Sequence, residues 1–232
     1  MRIVLFDIDG TLMTTAGAAR EAFGLALSEA AGRPIAPNGY SFSGRTDPQI
    51  ARDILSASGV AGAALEAAIP ETIRLYLRYF SRHVRPHDGA RLLPGVRELL
   101  DALAGRPEAR TALLTGNVED GARIKLGLFG ITGYFDFALS CFGSDDPDRN
   151  RLPPIALRRA RQAIDPALGG GQLVVVGDSE HDVICSRTVG ARSVAVCTGW
   201  TAVETLRAHA PDVLLDDLSD TARALDAILG AD

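Results

Sequence analysis

Residues 2–11 read Arg-Ile-Val-Leu-Phe-Asp-Ile-Asp-Gly-Thr, and the fold is decided there. Residues 3–6 are apolar at every position, without the alternation of a strand that has one face in water. Such a run fits a strand covered on both faces, as in a parallel sheet. It breaks at once into Asp7-Ile8-Asp9-Gly10-Thr11, a turn carrying two carboxylates. Further short apolar runs follow at 112–114, 137–139, 173–176, 193–196 and 213–215. Helical patterns are expected between most of them, at 95–104, 118–129, 153–164, 182–189 and 202–208, with 220–229 closing the chain. Alternating strand and helix predicts an α/β fold, a Rossmann-like doubly wound parallel sheet.

The alternation lapses after the first strand. Residues 18–30, 48–57 and 63–82 are alanine-rich and amphipathic, with no strand-like run among them. The expectation is an inserted α-helical cap spanning residues 14–88, within a core formed by residues 1–13 and 89–232. Asp88-Gly89 and Pro94 mark the return to the core. An insertion there lies at the edge of the sheet where ligands bind in open α/β folds, so it is placed to act as a lid.

Composition excludes several classes. Of 232 residues 47% are hydrophobic and 23% charged, which is ordinary globular usage and argues against disorder, collagen or coiled coil. The net charge of −5 supplies no basic face for nucleic acid. The apolar run at the start is too short for a signal segment or a membrane span, so a cytoplasmic protein is expected, with no membrane partner. Cys141, Cys185 and Cys197 form no CxxC pair and read as apolar thiols. The 24 basic positions comprise 23 arginines and the single lysine Lys125, in a helical segment where it reads as a solvated position.

Three strands run into polar, glycine-containing loops: Asp7 to Thr11, Thr115-Gly116-Asn117, and Gly177-Asp178-Ser179 with Asp182 following. A doubly wound sheet brings these loops to one edge. Four carboxylates would then crowd together, which like-charge repulsion opposes unless pKa values rise or a cation intervenes. A hard divalent ion on oxygen ligands, most naturally Mg²⁺, resolves the conflict, with Asp7, Asp9, Asp178 and Asp182 as its candidate ligands. That arrangement suits phosphoryl chemistry. Asp7, ionised at neutral pH, can attack phosphorus without a partner base. Asp9 can protonate the leaving oxygen and later deprotonate water. Thr115 with the N–H groups of Gly116 and Asn117 offers hydrogen bonds to phosphoryl oxygens, and Gly10 and Thr11 in the first turn are assigned to substrate binding beside them. Asp178 would hold the metal and Asp182 orient it. A chance DxDGT is expected in about one chain in several hundred of this length, and its position after the first apolar run makes chance rarer still.

DIDGT at Asp7, LLTGN around Thr115 and VVVGDSEHD around Asp178 resemble motifs one, two and four of the haloacid dehalogenase-like superfamily. The helical insertion is similar to the cap of its phosphoglycolate phosphatase-like members. The resemblance implies Mg²⁺ dependence and an aspartyl-phosphate intermediate. It makes Asp7 the nucleophile, Asp9 the acid/base, Thr115 the phosphate-binding hydroxyl, and Asp178 with Asp182 the acidic metal-binding pair. The superfamily's third motif usually supplies a lysine, but here the segment reads Asp148-Arg149-Asn150-Arg151-Leu152-Pro153. An arginine must serve; Arg149 is the first choice, and Arg151 fits the position ahead of the proline.

In the insertion, Gly44-Arg45-Thr46-Asp47-Pro48 reads as a loop and a helix start. Capping accounts for Thr46 and Asp47, and Arg45 is a candidate for binding an anionic group of the substrate. His83 and His87 read as exposed residues near a hinge, and Trp200 as packing. The expected enzyme is a Mg²⁺-dependent phosphatase acting on a small-molecule phosphate ester, phosphoglycolate being the first candidate. The alternatives are a phosphomutase on the same fold and a non-catalytic module binding a phosphorylated ligand. An apolar cap face would support a homodimer.

Overall fold

The computed structural model describes residues 1–83 and 89–230, the side chain of His83 excepted. His87 and Asp88 lie outside the described residues. The core is one six-stranded parallel sheet in the order β5-β4-β1-β6-β7-β8, formed by β1 (Arg2–Phe6), β4 (Ala109–Thr115), β5 (Cys141–Phe142), β6 (Leu173–Gly177), β7 (Arg192–Val196) and β8 (Val213–Leu215). The strand order reverses between β1 and β6, which pair in register from Ile3↔Leu173 to Phe6↔Val176. In such sheets the crevice outside the carboxyl ends of the strands at the reversal is the ligand site.

The uniform apolarity of β1 follows from its two covered faces. Val4 and Phe6 pack with Leu99, Leu126 and Ile228, which lie on α4 (Val96–Ala104), α5 (Glu119–Gly127) and α9 (Thr221–Leu229). Ile3 and Leu5 point to the other side, among Leu152, Ala156 and Cys185 of α6 (Leu152–Ala163) and α7 (Glu180–Ser186). The last helix between strands is α8 (Val203–Ala208). Among the described residues, no helix is long and apolar enough to cross a membrane.

One strand is displaced from its expected place. Residues 137–139 form a turn, and the edge strand is β5, where Cys141 and Phe142 pair with Leu114 and Thr115. Asp136 captures this backbone: its carboxylate accepts from the Ala138 N–H at 3.0 Å, and its carbonyl from the Leu139 N–H at 3.2 Å. Local bonds of this kind outcompete a ladder that apolarity alone would suggest.

The insertion comprises α1 (Ala18–Ala31), α2 (Asp47–Ala57) and α3 (Gly62–His83). They enclose their own apolar cluster around Phe23, Leu27, Leu55, Leu75, Tyr76 and Phe80. A two-stranded antiparallel ribbon that sequence periodicity had not suggested, β2 (Met13–Thr14) with β3 (Arg91–Leu92), ties the outgoing chain to the returning one. Two-residue strands are too short to show alternation.

Leu113 of β4 is fully buried between the sheet and its helices. Leu113→Ala is expected to cost about 2–5 kcal/mol by leaving a cavity, read as a lowered urea midpoint at unchanged slope.

Candidate active site

Asp7 continues β1, its N–H donating to the Val176 carbonyl at 2.9 Å. Asp178 follows β6 and Asp182 lies in the first turn of α7. All three are buried, and one oxygen from each lies within 4.8 Å of the others. Burial pushes the Asp7 carboxyl up to about 6 against the pull of Arg149, with Asp182 and Asp9 adding to the rise. Asp178 is raised well above the usual range by burial and then by Asp7 and Asp182. This is the like-charge conflict expected from the sequence, in a site of oxygen donors that suits a hard cation. The space around Asp178 is kept by glycines. A Cβ on Gly10, whose φ is +86°, would lie 2.5 Å from Asp178 Oδ2, and one on Gly199 would overlap the same atom.

Asp9, the fourth candidate ligand, is not among the three carboxylates that meet there. Its Oδ2 accepts from Lys125 Nζ at 2.5 Å and from Asn117 Nδ2 at 2.9 Å. Gly10 and Thr11, assigned to substrate binding, follow Asp9 in the same turn. Thr11 is buried and donates to Asp178 Oδ1 at 3.1 Å, so its side chain supports the acidic cluster.

Arg149, in a 3₁₀ turn before α6, is 5% exposed. Its Nη2 is 3.4 Å from Asp7 Oδ2 and bonds directly to Asp182 Oδ1. Its Nε is buried without a hydrogen-bond partner. Arg151 is 72% exposed by side chain and lies 3.6 Å from Asp146, away from the cluster. The structure thus brings together Asp7, Arg149, Asp178 and Asp182, and leaves Arg151 outside. Asp182 has a second partner: its Oδ2 accepts from the N–H of Ser179 at 3.0 Å and from its hydroxyl at 2.6 Å, a reciprocal helix cap.

Thr115 ends β4 beside Asp7, and its hydroxyl favours the ionised form of that carboxyl. The same oxygen accepts from Asn117 Nδ2 at 2.8 Å. Asn117 Oδ1 in turn accepts from Lys125 Nζ at 2.5 Å. Lys125 is therefore not a solvated residue: it is 3% exposed, and burial, which would lower its pKa, is outweighed by Asp9, Tyr76 and Asp47. Helical spacing was the signal for it, since Lys125 shares a stripe of α5 with buried Gly121 and Ala122.

The loop ahead of α2 reaches this network. Thr46 caps α2, accepting from the Gln49 N–H at 3.2 Å, but its hydroxyl also donates to the Pro147 carbonyl at 2.7 Å. Asp47 is no cap: its N–H donates to the Gly116 carbonyl at 2.8 Å and its carboxylate accepts from the Val118 N–H at 2.9 Å. The Arg45 carbonyl lies where a Cβ on Gly116 would be, so the close approach of the two loops requires glycine. Between them lies a cavity of about 460 Å³, lined by Asp7, Asp9, Asn117, Lys125, Arg149 and Arg45 among others. Arg45 stacks over Tyr40 and stands 3.7 Å from Asp53. Trp200, at the cavity wall, is 67% exposed and does not serve packing.

Residues 1–190 match the family model for a haloacid dehalogenase-like hydrolase, and the chain belongs to that family. Within it, the chain sits among phosphatases. It is 31% identical over 230 residues to a phosphoglycolate phosphatase of Agrobacterium fabrum, covering 96% of this chain and 91% of that one. It is 28% identical over 233 residues to the probable phosphatase IndB of Dickeya dadantii, covering 98% and 94%. The fold matches the crystal structure of a predicted phosphoglycolate phosphatase from Haemophilus somnus, with a TM-score of 0.71, 20% identity and 97% coverage of each chain. The chain is thus a phosphatase of this family built on the expected doubly wound core.

Asp47 offers a test of the loop contact. Burial raises its carboxyl to about 6 despite the nearby Lys125, so the folded state favours the neutral acid. The folded chain then holds a proton the unfolded chain has lost, and stability from Asp47 falls as pH rises from about 4 to 6. Asp47→Asn keeps an acceptor without ionising, so it is expected to gain on the wild type by up to about 3 kcal/mol across that window, measured as urea midpoints at pH 4 and pH 7.

Proposed function

We propose that the chain hydrolyses a small phosphate monoester through a phosphorylated Asp7, with the helical insertion, residues 14–88, acting as a cap over the cavity. The buried triad of Asp7, Asp178 and Asp182 beside Arg149 carries this reading. Asp7 attacks phosphorus in line with the ester oxygen, and the departing oxygen takes its proton from Asp9. Asp9, now ionised, removes a proton from the water that attacks the same phosphorus, which releases phosphate and restores Asp7. Thr115 stands beside Asp7 with its hydroxyl, and the N–H groups at Gly116 and Asn117 can donate hydrogen bonds to phosphoryl oxygens.

Asp7, Asp178 and the nearer oxygen of Asp182 would hold Mg²⁺, whose contribution is to offset the carboxylate charge and polarise a phosphoryl oxygen. The all-oxygen donor set and the glycine-walled space at Asp178 support that fit. Arg149 would contribute a permanent positive charge to the phosphoryl group, its unpartnered Nε being a buried donor without an acceptor. Phosphoglycolate is the first substrate to test, supported by the cap type and by the activity named for the relative from Agrobacterium fabrum.

With p-nitrophenyl phosphate, Asp7→Asn is expected to abolish turnover and Mg²⁺ removal by EDTA to do the same reversibly; unchanged turnover in the variant would sink the phosphorylated-aspartate route. Arg149→Ala is expected to lower kcat by about 100-fold or more, as loss of a charge donor to a transition state does, and Arg151→Ala to leave it within about twofold. Steady-state kinetics showing the reverse order would reassign the role.

A further inference from the structure

Lys125 is buried in a site that already has its cation in Arg149, and neither the acid, the base nor the nucleophile of the proposed reaction is a lysine. Long cationic side chains are almost never fully buried without paired partners. Here the ammonium has two hydrogen-bond partners, Asp9 Oδ2 and Asn117 Oδ1, with the Tyr76 phenol nearby. Lysine can only donate, so its contacts set the direction of every bond around it. Asn117 must present Oδ1 to Lys125, which aims its amide nitrogen at Asp9 Oδ2 and Thr115 Oγ1. One oxygen of Asp9 thus receives two donors. The other, Oδ1, accepts no hydrogen bond among the described residues.

We propose that Lys125 is the positioning residue of Asp9: with Asn117 it pins Oδ2 and so presents Oδ1 to the ester oxygen. This rests on the reading of Asp9 as the proton donor to the leaving group. A competing role is a brace between core and insertion, since the ammonium also lies near Tyr76 and 5.7 Å from the Phe80 ring of α3. The two roles differ in their dependence on the leaving group. p-Nitrophenolate departs without a proton, whereas phenolate is basic enough to need one. Both alcohols have nearly the same shape. A misplaced acid therefore slows phenyl phosphate and spares p-nitrophenyl phosphate, while a loosened fold slows both.

The experiment compares kcat/KM for the two esters, which reports the steps up to departure of the alcohol, in the full chain with Mg²⁺ present. Asp9→Asn is expected to lose about 100-fold with phenyl phosphate and only a few-fold with p-nitrophenyl phosphate. Lys125→Met, which keeps the apolar stem, is expected to lose about tenfold or more with phenyl phosphate and less than about threefold with p-nitrophenyl phosphate. In the double variant, Lys125→Met adds nothing to the loss from Asp9→Asn, because both act on one event. If the methionine variant does not fold, Lys125→Gln carries the same comparison and the same expected split. Equal losses with both esters, or additive losses in the double variant, overturn the positioning role and leave the brace. If Asp9→Asn itself shows no split between esters, the reading of Asp9 as leaving-group acid has failed, a result the Lys125 single variant alone does not produce.

Discussion

Three carboxylates held within 4.8 Å of one another in a buried crevice are the constraint on which the rest of this structure depends. Mutual repulsion and lost hydration both disfavour their ionised forms. The surrounding residues are arranged to contain that cost. Arg149 stands against Asp7 and Asp182, Ser179 donates twice to Asp182, and Thr11 donates to Asp178. Gly10 and Gly199 leave the room that Asp178 occupies.

Two buried cations divide the site between them, and they are not interchangeable. Arg149, planar and always charged, spans two carboxylates of the cluster while retaining a donor without an acceptor. Lys125 presents three donors from a compact point charge and draws Asp9 out of the same cluster. Asp9 is thereby held by donors that none of the three clustered carboxylates shares. Two aspartates separated by one residue in sequence end in different electrostatic surroundings, which is the condition for giving them different chemical roles.

The docking of the loop before α2 onto the loop after β4 links the insertion to this chemistry. Asp47 makes two backbone bonds there and Thr46 a third across to Pro147. The two Asp47 bonds are made to Gly116 and Val118, on either side of Asn117, so movement of the insertion would alter the wall of the cavity and the setting of Asn117 together.

The chain order of apolar runs and acidic turns was enough to determine the doubly wound sheet, the edge at which Asp7, Thr115 and Asp178 converge, and the helical character of the insertion. Those features follow from periodicity and from the geometry of parallel strands, which are local or topological properties. The edge strand was misplaced by a few residues because an Asp136 turn captured the backbone, a competition that hydrophobicity does not register. The sequence already favoured Arg149 over Arg151; what only the tertiary structure decided is the turn before α6, which buries Arg149 and exposes Arg151 two positions later. The roles of Lys125, Asn117 and Asp47 lay beyond sequence reading for a common reason. Each depends on a partner at least eight residues away, in Lys125 and Asp47 on another element altogether, and long-range contacts exist only once the elements have packed.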